Sequence, residues 1–215
     1  MEEKAMAQKP RIGLIGAGRV GSAVSTAAVE RGYEVLISNS REPETLRKFV
    51  EELGPLARMG SPTEAAEFGD IVLIAVPFHA YQILPVGPLA RKVIVDANNY
   101  FTDRDGQFTQ LVVGEITSSE LIAAHMPESK IVKAFNVIRA AEILTDALET
   151  GHPHRRALPI AGDDAEAKRI VASVIGDFGF DVVDFGALSL GRQFEPGTQF
   201  FDHRMTAEEM KLARQ

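Results

Sequence analysis

The sequence predicts an α/β fold, a doubly wound, mostly parallel sheet with a short C-terminal extension. Strand-like and helix-like segments alternate along the chain, as such a sheet requires. The strand-like runs are Ile71–Val76, Val93–Val95, Ile131–Phe135, Leu158–Ala161 and Phe180–Val183, and the helical segments are Thr63–Phe68, His79–Leu84, Ser118–His125, Ala140–Thr150 and Asp164–Ile175. The run IVLIAV is apolar throughout, which is typical of a strand covered on both faces.

A glycine-rich turn follows the first predicted strand. The apolar segment Ile12–Ile15 leads into a GxGxxG motif, and an apolar helical pattern follows it. The motif comprises Gly16, Ala17, Gly18, Arg19, Val20 and Gly21. Its first glycine suits a tight turn, its second lets a pyrophosphate approach the backbone, and its third lets the helix pack closely on the strand. Because the N–H groups of a helix N-terminus attract phosphate, we predict a dinucleotide-binding turn in a Rossmann sheet.

The end of the next strand predicts which dinucleotide binds. The strand Val35–Ile37 is followed by Ser38, Asn39, Ser40 and Arg41. Chains that bind NAD usually carry a carboxylate here, which accepts hydrogen bonds from the ribose and would repel a 2′-phosphate. Hydroxyl, amide and guanidinium groups bind a phosphate instead. We therefore predict NADP(H), although the segment also fits a capping loop before a helix at Glu44–Glu52.

Composition and charge exclude several classes of protein. The 215 residues include no cysteine, which excludes disulfides, thiolate metal sites and nucleophilic thiols. A formal net charge of -7 without a basic stripe argues against a nucleic-acid partner. No apolar run approaches the roughly 18 residues that span a bilayer, and the start, MEEKAMAQKP, lacks the apolar core of a signal peptide. We expect a cytoplasmic protein that binds neither nucleic acid nor membrane.

Further candidate residues follow the strands, because ligands of an open parallel sheet bind beyond the carboxyl ends of its strands. They are Ala75, Val76, Pro77 and Phe78, then Asn98 and Asn99, and then Ala134, Phe135 and Asn136. Pro77 ends its strand because it has no N–H to donate, which leaves the Phe78 ring available to line the nicotinamide ribose. The asparagines offer amide groups to a carboxamide or a ribose, although each also fits an ordinary turn.

Few residues at these strand ends suit acid or base catalysis. His79 is a weak candidate for a proton donor, since a histidine at the start of a helix is more commonly structural. Lys133 lies within a strand and is expected to point away, and Glu195 lies in the tail. His152 and His154 have no further ligands near them in the sequence, so we predict no metal site. Hydride transfer between stacked rings needs orientation and proximity rather than a catalytic acid or base.

The chain is predicted to form one domain with a tail. Residues 10–186 form the NADP-binding Rossmann domain, and residues 187–215 form an extension that serves dimerisation or the acceptor site. Thr206–Gln215 has the pattern of a charged helix. The tail residues Phe194, Phe200 and Phe201 offer an apolar cover for a ring, or pack on the sheet or on a dimer partner.

Six motifs are more specific in combination than the glycine turn alone. They are GLIGAGRVGSA, ISNSR, IVLIAVPF, KIVKAFN, LPIAGDDAEAKRIV and DFGALSLGRQFEP, between about Pro10 and Pro196. Together they resemble the NADP oxidoreductase family that depends on the deazaflavin coenzyme F420. They are also similar to the dinucleotide-binding domain of the Steap-type metalloreductases. The resemblance implies direct hydride transfer between NADP and a stacked deazaflavin, in a dimer.

The resemblance also implies a role for individual residues. Gly16, Gly18, Arg19, Val20 and Gly21 would hold the pyrophosphate, Ser38, Ser40 and Arg41 the 2′-phosphate, and Val76, Pro77, Phe78, Ala134, Phe135 and Asn136 would line the nicotinamide. Two features depart from the family. Phe135–Asn136 replaces a small polar pair that begins with histidine, and the tail after Phe201 is charged rather than apolar.

The sequence therefore predicts an NADP(H)-dependent oxidoreductase, a homodimer whose second substrate is a planar deazaflavin or flavin cofactor. The enzymatic alternative is a small imine or ketone reductase, which would need His79 or Tyr100 as its proton donor. The alternative without catalysis is a binding module that senses NADP.

Overall fold

The computed structural model describes residues 9–215, which contain one eight-stranded sheet. The strands are β1 (Ile12–Ile15), β2 (Val35–Ser38), β3 (Ala57–Met59), β4 (Ile71–Ile74), β5 (Val93–Asp96), β6 (Lys130–Lys133), β7 (Ala157–Gly162) and β8 (Asp181–Asp184). They lie in the order β3-β2-β1-β4-β5-β6-β7-β8, and all neighbours pair parallel except β6 and β7. The predicted doubly wound, mostly parallel Rossmann sheet is confirmed. The start of the chain, MEEKAMAQKP, was predicted to lack a signal peptide, and its residues 1–8 lie outside the described residues.

Helices cover both faces of the sheet. They are α1 (Arg19–Glu30), α2 (Arg47–Leu53), α3 (Pro62–Phe68), α4 (Val86–Leu89), α5 (Thr102–Asp105), α6 (Thr109–Val112), α7 (Ser118–His125), α8 (Ala140–Thr145), α9 (Ala165–Asp177) and α10 (Ala207–Ala213), and 3₁₀ helices lie at Pro43–Leu46, Phe78–Ile83 and Leu188–Phe194. Ala28 of α1 and Ile175 of α9 belong to the core on one face. Ala65 of α3 and Ile122 of α7 belong to the core on the other. Within the described range, no helix is long and apolar enough to cross a membrane.

The carboxyl ends of five strands form one rim of the sheet. Ile15, the last residue of β1, pairs with Ser38 of β2 and with Ile74 of β4. Ile74 pairs with Asp96 of β5, which pairs with Lys133 of β6. The loops that leave these strands therefore emerge side by side, where ligands bind in such sheets.

Several elements differ in extent from those predicted. The helix predicted at Ala140–Thr150 ends at Thr145, where the next residue, Asp146, pairs with the buried Arg156. The segment predicted as a helix at His79–Leu84 is a 3₁₀ helix, and Pro85 disfavours the α conformation at its end. β3 and α4–α6 were not predicted, because three or four residues are too few to show a period.

The C-terminal tail packs on β7, β8 and the rim. The rings of Phe194 and Phe200 are buried against Phe185, each at a centroid distance of 5.1 Å. The backbone N–H of Asp202 donates to the Val137 carbonyl over 3.1 Å, which fixes the tail beside the end of β6. The predicted charged helix is present as α10, and its Met210 is buried.

Candidate functional site

The glycine turn joins β1 to α1 at the rim. Gly16 has a φ of +112°, which favours glycine, and a side chain there would overlap the Ala75 carbonyl oxygen. A side chain at Gly21 would overlap the Gly16 carbonyl oxygen, so α1 packs directly on the turn. Gly18 is exposed and is the N-cap residue of α1. Because glycine has no side chain, it does not cap the N–H groups of the helix. The N-terminal N–H groups of α1 are thus available to an anion.

A groove of about 620 Å³ runs along this turn, and we name it the glycine-turn groove. Its lining includes Gly16–Gly18, Asn39–Arg41, Ala75–Pro77, His79 and Ile83. No carboxylate belongs to this lining. Ile83 is 80% exposed and gives the groove an apolar wall on which a flat base can pack. The groove thus brings the glycine motif together with part of the predicted 2′-phosphate cluster.

The four residues after β2 divide into two groups. Ser38 is buried, and its hydroxyl donates to the Leu14 carbonyl over 2.9 Å, so the prediction that it holds the 2′-phosphate is wrong. The Asn39 side chain shapes the loop, since it accepts from the Arg41 N–H at 2.8 Å and donates to the Thr45 hydroxyl at 2.9 Å. Ser40 and Arg41 are exposed and line the groove. These two side chains are left to bind a phosphate.

A second groove, of about 810 Å³, lies between α1 and α8, and we name it the α1–α8 groove. Its lining includes Arg19, Val20, Ala97, Asn99, Asn136–Ala141, Leu144, Phe201 and Asp202. Most of these side chains are apolar. Two oxygens of Asp202 accept from the Arg139 guanidinium at 2.7 and 2.5 Å, and this ion pair holds the pKa of Asp202 below its ordinary value. Asp202 therefore stays a carboxylate near neutral pH.

The strand-end asparagines connect the rim to the tail. The Asn98 side chain accepts from the Val76 N–H at 2.9 Å. Asn99 donates to the Asn136 carbonyl at 2.8 Å, and the Asn136 amide donates to the Phe194 carbonyl at 2.9 Å. Asn98 Nδ2 and Asn136 Oδ1 are buried and have no hydrogen-bond partner among the described residues. Each is an unused donor or acceptor at the rim, as expected beside a polar ligand.

Two predicted ring positions are corrected by the structure. Phe78 is fully buried and stacks on Tyr81 at 5.0 Å, so its ring belongs to the core below the 3₁₀ helix and does not line a nicotinamide site. Phe135 has a φ of +63°, and its ring packs at 6.0 Å from Phe178 in the opposite core. Ala134 is also buried. Of the tail rings, Phe201 alone belongs to the lining of the α1–α8 groove.

The predicted candidates for a proton donor lie outside the α1–α8 groove. His79 lines the glycine-turn groove, and its Nδ1 lies 3.0 Å from Asp105. The Tyr100 hydroxyl donates to the Gly106 carbonyl at 2.8 Å.

The rings of His152 and His154 lie 5.9 Å apart, and across residues 9–215 no group of three or more His, Asp or Glu side chains is arranged to hold a metal ion.

Sequence reasoning missed a buried charge cluster beneath the rim. Lys133 Nζ donates to the hydroxyls of Ser118 and Ser119 at 3.2 and 3.1 Å, and lies 3.8 Å from Asp96 and 3.4 Å from Glu195. Lys133 and Asp96 are completely buried. The only signal in the sequence was Lys133 within the otherwise apolar run Ile131–Phe135, and its partners lie far away along the chain. The cluster ties the tail to the end of β6.

Comparison with known proteins agrees with the predicted family. Residues 11–100 match the model of the family described as NADP oxidoreductase, coenzyme F420-dependent. The metalloreductases STEAP3 of Rattus norvegicus and STEAP2 of Homo sapiens are 29% and 28% identical, over 87% and 88% of this chain. The alignments cover 36% of each relative, so the chain spans little more than a third of their length.

Solved structures extend the likeness to the whole fold. A hypothetical protein from Sinorhizobium meliloti is 27% identical with a TM-score of 0.79, over 91% of this chain and 95% of that one. A protein assigned as an F420-dependent NADP reductase from Arthrobacter sp. is 26% identical with a TM-score of 0.72, over 85% and 87%. An imine reductase from Pseudomonas sp., 18% identical over 85% of this chain and 57% of that one with a TM-score of 0.62, shares the fold. The predicted family thus matches over residues 11–100, and the predicted fold matches over most of the chain.

Proposed function

We propose that this chain, whose residues 11–100 match the model of the F420-dependent NADP oxidoreductase family, transfers hydride between NADP(H) and a planar deazaflavin or flavin ring. The glycine-turn groove takes the dinucleotide, with the pyrophosphate at Gly16–Gly18 and the 2′-phosphate at Ser40 and Arg41. NADPH supplies the hydride from its nicotinamide ring. The asparagines at the ends of β5 and β6 orient that ring towards the α1–α8 groove.

The lining of the α1–α8 groove is the observation that carries the acceptor half of the proposal. The groove adjoins the start of α1, and its walls are mostly apolar, as a flat conjugated ring requires. Its ionisable side chains are Arg19, Arg139 and Asp202, and none of them releases a proton near neutral pH. A site without a proton donor suits hydride transfer between two rings better than reduction of an imine or ketone.

Arg41 is expected to set the preference for NADPH over NADH. The wild-type protein should bind NADPH at least about tenfold more tightly, equivalent to about 1.4 kcal/mol. Arg41→Asp should abolish or invert that ratio, because a carboxylate repels the 2′-phosphate and accepts from a 2′-hydroxyl. Fluorescence titration with both cofactors measures it. Ser38→Ala is the control, since the Ser38 hydroxyl is engaged with Leu14 and its loss should leave the ratio unchanged. Equal affinities in the wild-type protein would remove the basis for NADP.

The acceptor is tested with NADPH that carries deuterium at the transferred position. With a 5-deazaflavin as the acceptor, we expect saturable oxidation of NADPH and recovery of the deuterium on the reduced ring carbon. With NADPH saturating, the rate should change little between about pH 6 and 8, because the ionisable side chains of the α1–α8 groove are two arginines and one carboxylate. Turnover of a small ketone or imine with inert flavins would instead support the reductase alternative. Tight NADPH binding without any turnover would support the sensor.

A substitution that fills the α1–α8 groove tests the place of the acceptor. Ala141 is exposed and lines the groove, so Ala141→Trp should raise the acceptor KM about tenfold or more and leave NADPH affinity unchanged. Ala124→Trp, on the exposed side of α7, is the matched control. Deleting the tail would be a poorer test, because Phe200 and Met210 are buried. An unchanged acceptor KM in Ala141→Trp would show that the ring binds elsewhere.

Three finer features remain predictions from the sequence. They are the homodimer, the cytoplasmic location and the choice between coenzyme F420 and a flavin. Whether residues 187–215 act as an extension separate from residues 10–186 is also still to be tested.

A further inference from the structure

His79 has an anchored side chain inside the glycine-turn groove. Its ring Nδ1 lies 3.0 Å from Asp105 Oδ1, and its backbone N–H donates to the same oxygen over 3.4 Å. The Asp105 side chain is completely buried, whereas that of His79 is 51% exposed. One edge of the imidazole is thus held by a buried carboxylate, and about half of the His79 side chain is exposed.

The anchor determines which ring nitrogen is available to a ligand. A nitrogen that lies at hydrogen-bond distance from a carboxylate carries its proton towards that carboxylate, so Nδ1 is the donor to Asp105. Nε2 is the nitrogen left for the groove, and it donates only when the ring is protonated. Histidine side chains change charge between about pH 5 and 8.

The phosphate-binding turn lies across the same groove. A side chain on Gly16 would approach Val76 Cγ1 within 3.1 Å, so the end of β4 packs against the turn, and His79 follows three residues later. We propose that His79 binds the pyrophosphate of the dinucleotide through Nε2 in its imidazolium form, so that cofactor affinity falls as the pH rises. This inference rests on the proposed function, because it assumes that the groove holds NADP(H).

The surrounding charges fit this role. Asp105 of α5 contacts His79 and is itself paired with Arg104, and Arg41 belongs to the groove lining from the loop after β2. Burial of Asp105 raises its pKa, but hydrogen bonds from Arg104, from the Phe101 N–H and from His79 outweigh burial and lower that pKa to about 2. Asp105 therefore remains a carboxylate wherever histidine titrates. It is a positioning residue, and His79 contacts the cofactor rather than serving as a proton donor to the acceptor.

The test compares dissociation constants for NADPH and NADH at about pH 6 and pH 8.5. The 2′-phosphate itself titrates near pH 6, so the measured quantity is the difference between the wild-type protein and His79→Gln. NADH lacks that phosphate, and its pyrophosphate does not titrate in this range. For both cofactors, we expect the wild-type protein to bind more tightly at the lower pH. After the change seen in His79→Gln is subtracted, this gain in affinity should be about threefold to tenfold. His154→Gln, on an exposed loop, should behave as the wild type.

Asp105→Asn tests the anchor. It should keep NADPH binding at pH 8.5 and lose most of the added affinity at about pH 6, with thermal unfolding as the check on the fold. Identical pH profiles in the wild-type protein and His79→Gln would overturn the inference. A difference seen with NADPH alone would overturn the pyrophosphate assignment, since it would place His79 at the 2′-phosphate. Failure of every variant to bind either dinucleotide would refute the proposed function instead.

Discussion

Replacing Gly18 with valine is expected to abolish NADPH binding, raising the dissociation constant by more than about a hundredfold, or about 2.7 kcal/mol. In the proposed site the pyrophosphate lies against the Gly18 backbone, so a branched side chain there meets the ligand. A Cβ at Gly18 meets no protein atom within 4 Å, and its φ of -76° and ψ of -168° are open to valine. The variant should therefore fold and lose only about 1 kcal/mol from a weaker helix N-cap. Fluorescence titration and thermal unfolding measure the two effects.

Gly21→Val is the control that separates binding from folding. A side chain at Gly21 would overlap the Gly16 carbonyl oxygen, which cannot move without lifting α1 from the sheet. We expect this variant to lose both its fold and its binding, whereas Gly18→Val loses binding alone. If Gly18→Val binds NADPH within about tenfold of the wild-type protein, the glycine turn does not hold the pyrophosphate.

The strand–turn–helix unit was predictable because its signals are local. The apolar strand, the three glycines and the helical pattern all lie within Ile12–Glu30, and each has a steric reason. The rim was predictable for a related reason. Once the strands are parallel, their carboxyl ends must meet at one edge of the sheet, so Val76, Asn98 and Asn136 were expected near one another.

Side-chain direction beyond a strand end was not predictable from periodicity. Alternation along a strand assigns a face only while the backbone remains extended. Phe135 follows β6 with a φ of +63°, so its ring packs in the core on the face opposite to the one that strand alternation predicts. Phe78 begins a 3₁₀ helix and turns inward. Ser38 still belongs to β2, and its hydroxyl bonds to a neighbouring strand rather than to a ligand.

Long-range partners account for the remaining omissions. The α1–α8 groove takes its walls from α1, from the ends of β5 and β6, and from the tail around Phe201. No local pattern in the sequence predicts that these segments lie next to one another. The same holds for Lys133, whose partners Asp96 and Glu195 come from β5 and from the tail. Charged residues within apolar strands are therefore the positions where sequence patterns are least informative.

Replacing Lys133 with methionine is expected to destabilise the protein by about 3–5 kcal/mol, because it leaves the buried Asp96 and the partly buried Glu195 without their cation. Methionine keeps most of the side-chain volume, so loss of packing contributes little. Asp96 would retain hydrogen bonds from the Asn98 N–H at 3.0 Å and from the Ser119 hydroxyl at 2.5 Å, but no cation. Glu195 would keep only the Ser118 hydroxyl, at 2.7 Å. Urea unfolding measures the change in the free energy of unfolding.

Lys130→Met, three residues earlier on the same strand, is the matched control. Lys130 pairs with Asp164 at 2.9 Å, but their side chains are 43% and 34% exposed, so its loss should cost less than about 1 kcal/mol.

Adding Glu195→Gln to Lys133→Met should recover part of the lost stability, because it removes one of the two unpaired charges. Since the cluster ties the tail to β6, the single variant should also weaken acceptor binding at the α1–α8 groove. If Lys133→Met unfolds no more easily than Lys130→Met, the buried cluster does not stabilise the tail.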